Sequence, residues 1–249
     1  MRREAITWAA VFLAIMTLGA PKAHADGVLV FGGTGALGAD IVKALLAKGE
    51  KVTVFARPSS DHKRLKDLDV AYATGDVLKV EDVLAAAHAG PYRVVVDASA
   101  NRGSPGPFYE KAMMNIIAAA KAAGAKQVII HSSIGVAESE AVFVGDKATF
   151  PVQDFDRMRP NMLDKAAAER HLMESGLGYT IIRNGLIDYE GTPATGKAKL
   201  TEDRMAFGRV TRPDLAKLTL DCLDQAACLN KIFHAVDDSL VGPRPQKGR

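Results

Sequence analysis

In Val28-Leu29-Val30-Phe31-Gly32-Gly33-Thr34-Gly35-Ala36-Leu37-Gly38 an apolar run is followed by a glycine loop and then by a helical pattern. A strand, a tight turn and a helix start in this order let backbone N–H groups and the helix dipole face a pyrophosphate. Gly32 suits the turn, Gly35 the close approach of a phosphate, and Gly38 the packing of the helix on the sheet. The residues assigned to a predicted dinucleotide site are Gly32, Gly33, Thr34, Gly35, Ala36, Leu37 and Gly38.

The residues after the glycine loop strengthen this prediction. The loop has the spacing Gly-x-x-Gly-x-x-Gly rather than the commoner Gly-x-Gly-x-x-Gly, so taken alone it is a weak signal. Residues 41–46 carry apolar side chains at helical spacing, Lys48-Gly49 ends the helix, and residues 51–55 form a second strand. A complete βαβ unit therefore surrounds the loop, which disfavours the alternative of a glycine turn without a ligand.

Apolar runs and helical patterns alternate along the rest of the chain. Strands are predicted at 70–76, 93–98, 127–131, 179–183 and 232–236, and helices at 80–89, 109–123, 161–175 and 213–225. Nearly continuous apolar strands are typical of parallel sheets that are covered on both faces. The sequence thus predicts an α/β fold, a doubly wound, Rossmann-like, mostly parallel sheet with helices on both faces. We expect residues 26–249 to form this single domain, with a small substrate region toward its C-terminus.

Ligands of such sheets bind beyond the carboxyl ends of the strands. Arg57 is the first charged residue after the second strand, where an NAD-selective site typically has an acid. A guanidinium can pair with the 2′-phosphate of NADP, and Ser59 and Ser60 add hydroxyl donors, so NADP is favoured over NAD. A solvated surface arginine is the alternative.

Asp76 is expected either to accept a hydrogen bond from the adenine or to cap the next helix, and Ala98 is also assigned to the cofactor site.

Residues 1–25 have the pattern of a secretory signal peptide: a basic start, a short apolar block and an Ala-x-Ala exit. Export to the periplasm is therefore expected, by a twin-arginine route if Arg2-Arg3 is read as its signal. An uncleaved membrane anchor is the minority alternative, and a true start at Met16 would leave the protein in the cytoplasm. Without residues 1–25 the formal charge falls from +3 to +1, so we expect no nucleic-acid partner. The partner expected from the predicted dinucleotide site is a small-molecule substrate.

The two cysteines, Cys222 and Cys228, leave two alternatives open. Six residues apart on one continuous helix they would be too distant to bridge, so a disulfide requires the helix to end near Gln225. Two buried thiols are slightly favoured over a disulfide. Their spacing is not that of a zinc site, and no metal is predicted.

At this point the chain resembles the short-chain dehydrogenase/reductase superfamily, specifically its atypical, NmrA-like NAD(P)H-binding branch. The similarity extends over nearly the whole of residues 26–249. The segments that carry it are the glycine loop, Gly75-Asp76, Ile130-His131-Ser132-Ser133-Ile134-Gly135, residues 165–169, residues 175–183 and Arg212-Pro213-Asp214-Leu215-Ala216.

The resemblance implies roles for single residues. Catalytic members carry a Tyr-x-x-x-Lys pair on one helix face, and the matching positions here are Asn161 and Lys165. Lys165 would hold the nicotinamide ribose, Ser133 or, less favoured, Ser132 would orient the substrate carbonyl, and Asn115 stands where the superfamily often has a helix asparagine. An asparagine cannot donate the proton that the tyrosine supplies.

Two functions from different classes follow from the missing tyrosine. One is an NADP(H)-dependent oxidoreductase that acts on a small, partly apolar carbonyl or related compound, with another group as the acid. The other is a non-catalytic NAD(P)-binding sensor or assembly protein. Tyr109 and Tyr189 are candidate substitute acids, although a packing role is favoured for both, and His131 is expected to be buried rather than catalytic.

Long connections at the ligand edge are expected to form the substrate side. They are residues 101–107, 135–160 and 185–209. The second contains Phe143, Phe150, Phe155 and Met158, which predict a partly apolar pocket.

Overall fold

The computed structural model describes residues 26–101, 107–145, 148 and 155–241. The predicted signal peptide at 1–25 lies outside the described residues, as does Phe150. Within the described ranges, none of the helices combines the length and the apolar character that crossing a membrane requires.

Ten strands are described, and eight of them form one sheet. In chain order they are β1 (Gly27–Phe31), β2 (Val52–Ala56), β3 (Ala71–Thr74), β4 (Tyr92–Asp97), β5 (Gln127–Ser133), β6 (Gly178–Asn184), β7 (Leu186–Ile187), β8 (Lys199–Thr201), β9 (Arg209–Val210) and β10 (Lys231–Val236). The sheet order is β3-β2-β1-β4-β5-β6-β10-β8, and β7 pairs separately with β9. Every sheet neighbour is parallel except β8, which runs antiparallel to β10. The predicted doubly wound, mostly parallel sheet is confirmed.

Helices cover both faces of this sheet. They are α1 (Ala36–Ala47), α2 (Val80–His88), α3 (Tyr109–Ala122), α4 (Phe155–Glu174) and α5 (Arg212–Asp221). Because successive side chains of a strand point to opposite faces, Val28 and Val30 pack with α1 and α5. Leu29 and Phe31 of the same strand pack with α2, α3 and α4 instead. The two apolar layers fix the strand ends, and with them the edge of the sheet at which ligands bind.

The start of α4 differs from the sequence prediction by six residues. The helix predicted from residue 161 begins at Phe155 and contains Pro160. Phe155 is buried and its ring stacks on Phe143 with centroids 5.3 Å apart, so tertiary packing extends the helix in front of the proline. Pro160 lies near enough to the helix start that its missing N–H removes few bonds.

The short strands β7, β8 and β9 were not predicted, because two or three residues show no periodicity.

Cys222 and Cys228 form a disulfide with their Cα atoms 5.4 Å apart, so the favoured prediction of two thiols is wrong. The reason is that α5 ends at Asp221, earlier than predicted, and Cys222 occupies its C-cap. The chain then turns back through the 3-10 turn Ala226–Cys228. The Gln127 side chain donates a hydrogen bond to the Cys222 carbonyl, which fixes the bridge at the edge where the strands begin.

Removal of this disulfide is expected to destabilise the fold without affecting the opposite edge of the sheet. Replacing both cysteines by alanine should lower the free energy of unfolding by about 2 kcal/mol, the entropy of closing so short a loop. Urea denaturation of the double variant measures this loss. A reducing agent should shift the wild-type curve in the same direction and leave the double variant unchanged. A wild-type curve that does not respond to reduction would contradict the bridge.

Candidate functional site

The glycine loop between β1 and α1 is closed so tightly that two of its positions admit no side chain. Gly32 has φ +73°, and a Cβ there would lie 2.5 Å from the backbone nitrogen of Ser99. A Cβ on Gly38 would lie 2.1 Å from the carbonyl oxygen of Gly32. Gly32 therefore makes the turn, as expected. Gly38 lets the start of α1 lie against the Gly32-Gly33 backbone that directly follows β1.

The start of α1 is suited to an anion. Gly35 is the N-cap residue, no side-chain hydrogen bond caps it, and the first turn contains no acidic residue. The first N–H groups of a helix have no partner within the helix, and its dipole places positive potential there. A cradle of glycine backbone at such a helix start fits the pyrophosphate of a dinucleotide.

A cavity of about 270 Å³ opens in front of this loop, at the edge where the parallel strands end. It brings together six of the predicted cofactor residues, which are Gly32, Thr34, Gly35, Arg57, Asp76 and Ala98. Gly33 is buried beneath the cavity, where a Cβ would lie 2.9 Å from the Val54 side chain. Ala36 and Leu37 continue into α1 and are partly buried. The six predicted residues thus come from four separate segments of the chain and surround one space.

The ends of β2 and β3 supply the polar groups of the cavity. Arg57, Ser59 and Ser60 line it together, and Arg57 is exposed to solvent. Asp76 Oδ1 accepts a hydrogen bond from the Leu78 N–H at 3.0 Å, which shapes the turn between β3 and α2. The N-cap of α2 is Lys79, so the alternative that Asp76 caps this helix is wrong.

Lys165 and Ser133 meet at the same edge of the sheet. The Lys165 Nζ, on α4, donates a hydrogen bond to the Oγ of Ser133, the last residue of β5, at 3.1 Å. Burial lowers the pKa of Lys165 to about 8, and the negative charges of Glu169, Asp97 and Asp164 limit that shift. An amine with such a pKa exchanges protons readily near neutral pH. The two residues expected from the superfamily pattern therefore form a direct pair.

Tyr109 and Asp164 hold this lysine in place. The Lys165 Nζ lies 4.5 Å from the centroid of the Tyr109 ring, within the range of a cation–π contact. The Asp164 carboxylate accepts hydrogen bonds from the N–H groups of Phe108, Tyr109 and Glu110 at 2.7, 2.8 and 2.9 Å. Asp164 thus caps α3 from α4 and fixes the tyrosine beside the lysine. Burial raises the pKa of Tyr109, which favours its packing role over that of a substitute acid.

Asp97 is a residue of this site that sequence reasoning missed. It ends the apolar strand β4 and is only 8% exposed. Burial raises the pKa of its carboxyl group, and its Oδ1 accepts a hydrogen bond from the Ser99 N–H at 2.9 Å. Its charge acts on Lys165 across the strand ends. Only its position, a lone acid that ends an apolar strand, could have signalled it.

Three predicted or neighbouring residues lie outside the Lys165–Ser133 pair. Asn115 donates a hydrogen bond from Nδ2 to the carbonyl of Val77 at 2.8 Å, so it supports the cavity wall after β3. Ser132 points away from Ser133 on the same strand, and within the described residues its buried Oγ has no hydrogen-bond partner. Asn161, at the position of the superfamily tyrosine, is exposed.

His131 is buried, as the sequence predicts. Its Nε2 lies 2.9 Å from Thr219 Oγ1 and its Nδ1 lies 3.0 Å from the Asn184 side-chain oxygen. Burial lowers the pKa of His131 to about 4, so the ring is neutral at physiological pH. Among the residues that the structure describes, no group of histidine, cysteine and acidic side chains could hold a metal ion.

The aromatic residues predicted to line a substrate pocket form a packed cluster instead. Phe143 and Phe155 are buried, and the Phe207 ring packs edge-on against Phe143 at 5.1 Å. The partly buried residues around them include Met158 and Met162. Phe143 and Phe155 therefore do not line the predicted partly apolar pocket, because their rings are buried against each other. Met162 lies about one turn before Lys165 on α4, and Met158 lies about two turns before it.

This chain is similar in sequence to a known protein family and to individual known proteins. A family model described as NAD(P)H-binding matches residues 32–226. The photosystem II assembly factor Ycf39 of Cyanophora paradoxa is 28% identical over 228 residues, which are 87% of this chain and 64% of that protein. The chain thus spans less than two thirds of the length of this relative.

Solved structures show the same architecture. ChuY of Escherichia coli O157:H7, described as an anaerobillin reductase, superposes with a TM-score of 0.72 at 25% identity, covering 87% of this chain and 100% of that one. A short-chain dehydrogenase/reductase of Veillonella parvula in complex with NADP superposes with a TM-score of 0.68 at 18% identity, covering 89% and 99%.

Proposed function

The chain belongs to the NAD(P)H-binding family whose model it matches, and from this premise we propose that it is an NADP(H)-dependent reductase of a small, partly apolar carbonyl compound. The observation that carries the proposal is the Lys165–Ser133 pair, which lies at the same strand-end edge as the glycine-loop cavity. A lysine with a lowered pKa beside a serine hydroxyl supplies the two groups that reduction of a carbonyl requires, a proton donor and a hydrogen-bond donor to the carbonyl oxygen.

The cavity supports NADP(H) as the cofactor. The start of α1 would hold the pyrophosphate, and Arg57 with Ser59 and Ser60 would hold the 2′-phosphate of the adenosine ribose. A reduced cofactor held by these residues would be the source of the hydride for the carbonyl carbon of the substrate. Similarity to a short-chain dehydrogenase/reductase that binds NADP is consistent with this choice, while the preference over NAD is our proposal.

Lys165 takes the role of the missing tyrosine as the proton donor. The Ser133 hydroxyl donates a hydrogen bond to the carbonyl oxygen, and the Lys165 ammonium gives that oxygen a proton as the carbon is reduced, so the carbonyl becomes an alcohol. The lowered pKa of Lys165 brings this acid close to the pH at which the enzyme would operate. The Tyr109 ring and the Asp164 cap hold the ammonium at that position.

Binding of NADPH and NADH, measured by calorimetry, tests the cofactor assignment. Replacement of Arg57 by alanine should weaken NADPH binding about tenfold or more, because a charge-assisted pair with the 2′-phosphate is lost. NADH binding should change less than about twofold, since NADH lacks that phosphate. Lys48→Ala, an exposed lysine at the far end of α1, is the control for a general loss of positive charge. Equal weakening of both cofactors by Arg57→Ala would refute the assignment.

A second function is favoured by one observation, the absence of a tyrosine at Asn161. We propose as the alternative a non-catalytic NAD(P)H-binding assembly factor, a role consistent with the similarity to Ycf39. Loss of NADPH absorbance with a panel of small aldehydes, ketones and quinones separates the two. Tight NADPH binding without turnover of any panel member would favour the assembly role, and turnover would favour the reductase.

A further inference from the structure

Arg64 and Glu190 form a bidentate ion pair at the rim of the cavity. Arg64 Nε donates to Glu190 Oε1 at 2.7 Å, and Nη2 donates to Oε2 at 2.8 Å. Arg64 belongs to the 3-10 turn Lys63–Leu65 that follows β2, and Glu190 lies beyond β7. Arg64 also lines the cavity beside Ser59, Ser60 and Arg57. Its guanidinium therefore stands at the end of the cavity where the 2′-phosphate is expected.

The segment that carries Glu190 is fixed at both ends. Before it, the buried Asp188 carboxylate accepts hydrogen bonds from Arg209 Nε and Nη2 at 2.9 and 2.7 Å. After it, the N–H of Thr195 donates to the Asp214 carboxylate at 2.9 Å. Glu190 is thus presented to Arg64 by an anchored segment, so this ion pair is not a chance contact between mobile surface side chains.

The pair is nevertheless weak enough to exchange. The side chains of Arg64 and Glu190 are 34% and 56% exposed, and ion pairs exposed to this extent add little to stability. A phosphate dianion presents more charge and more acceptor oxygens to the same guanidinium fork and forms the stronger pair. A phosphate that enters this end of the cavity would therefore displace the Glu190 carboxylate from the Arg64 guanidinium.

We propose that Arg64 is a second residue that binds the 2′-phosphate, and that the Glu190 carboxylate competes with this phosphate for the Arg64 guanidinium. This inference rests on the proposed function, because it assumes that an adenine dinucleotide enters the cavity. A cofactor without the 2′-phosphate leaves the ion pair intact and gains nothing from Arg64. The pair thus sets how strongly the site prefers the phosphorylated cofactor.

Calorimetry with adenosine 2′,5′-bisphosphate and with 5′-AMP tests this, because the two probes differ only in the 2′-phosphate. Glu190→Gln should tighten the bisphosphate about two- to fivefold, the strength of an exposed ion pair, and leave 5′-AMP unchanged. Arg64→Gln should weaken the bisphosphate about tenfold and leave 5′-AMP unchanged. The double variant should bind the bisphosphate as Arg64→Gln does, since Glu190 can compete with the phosphate only where the Arg64 guanidinium is present. Lys63→Gln, a neighbouring exposed lysine, is the matched control.

The outcomes separate this inference from the proposed function. If the wild-type protein binds NADPH but Glu190→Gln tightens both probes equally or neither, or if Arg64→Gln leaves the bisphosphate unchanged, the competitor role is overturned and the cofactor site stands. In that case the ion pair only fastens the Glu190 segment to the rim. If the wild-type protein binds neither NADPH nor NADH, the inference and the proposed function fall together.

Discussion

Replacement of Lys165 by methionine is expected to lower kcat at least a hundredfold, the usual contribution of a positioned general acid. Methionine keeps the length of the side chain and its apolar contacts but cannot donate a proton. The NADPH dissociation constant should change less than about fivefold, because the contacts expected to dominate binding are those of the glycine loop and Arg57. Steady-state kinetics with a turned-over carbonyl substrate, beside calorimetry with NADPH, measure both quantities.

The pH dependence gives this prediction a second readout. The Lys165 ammonium is the proton donor, and burial holds its pKa at about 8. We therefore expect kcat to be constant below this pH and to fall as the pH rises through it, where an ordinary exposed lysine would stay protonated to about 10.4. The residual activity of Lys165→Met should lack this fall, since no group remains to titrate there.

Lys111→Met, an exposed lysine of α3, is the control for the loss of a positive charge and should retain wild-type kinetics. Circular dichroism of Lys165→Met should match the wild type, which excludes misfolding as the cause of lost activity. A Lys165→Met variant that retains kcat within tenfold would contradict the role of this residue as the acid and direct the search to Tyr109.

Replacement of Gly38 by alanine is expected to abolish cofactor binding and to lower the free energy of unfolding by about 3–5 kcal/mol, the range of severe steric substitutions. The added Cβ would lie 2.1 Å from the Gly32 carbonyl oxygen and 2.8 Å from the Gly33 Cα. Both atoms belong to the backbone, so no side chain can move aside. Helix α1 must shift away from the loop, which separates the helix start from the phosphate position. Urea denaturation and NADPH calorimetry measure the two losses.

Gly49→Ala is the matched control for Gly38→Ala. Gly49 has φ +79° at the end of α1, and a Cβ there would meet nothing within 4 Å. Gly49→Ala should lower the free energy of unfolding by only about 1–2 kcal/mol, the strain of placing a residue with a Cβ in the left-handed region. The affinity for NADPH should be unchanged. If Gly38→Ala binds NADPH within fivefold of the wild type, the tight loop is not needed for the cofactor.

Local patterns in the sequence were enough to predict the fold and most of one cavity wall. The β-branched run, the glycine loop and the helical stripe that follows it depend on neighbouring residues, so they can be identified without any tertiary contact. The carboxyl ends of parallel strands meet at one edge, and this rule brings the loop together with Arg57, Asp76 and Ala98. Lys165 and Ser133 were chosen by resemblance, and the structure places them in contact.

Tertiary structure alone decided the contacts between residues distant in the chain. The Asp164 cap on α3, the ion pair of Arg64 with Glu190 and the early end of α5 that lets Cys222 meet Cys228 have no local signature. The packed rings of Phe143 and Phe155 replaced the pocket that composition predicted. Composition and spacing determine which surfaces must be buried, but the partner of each side chain depends on how the helices and loops pack together. The sequence therefore determined where a dinucleotide could bind, and packing decided which charged groups stand around it.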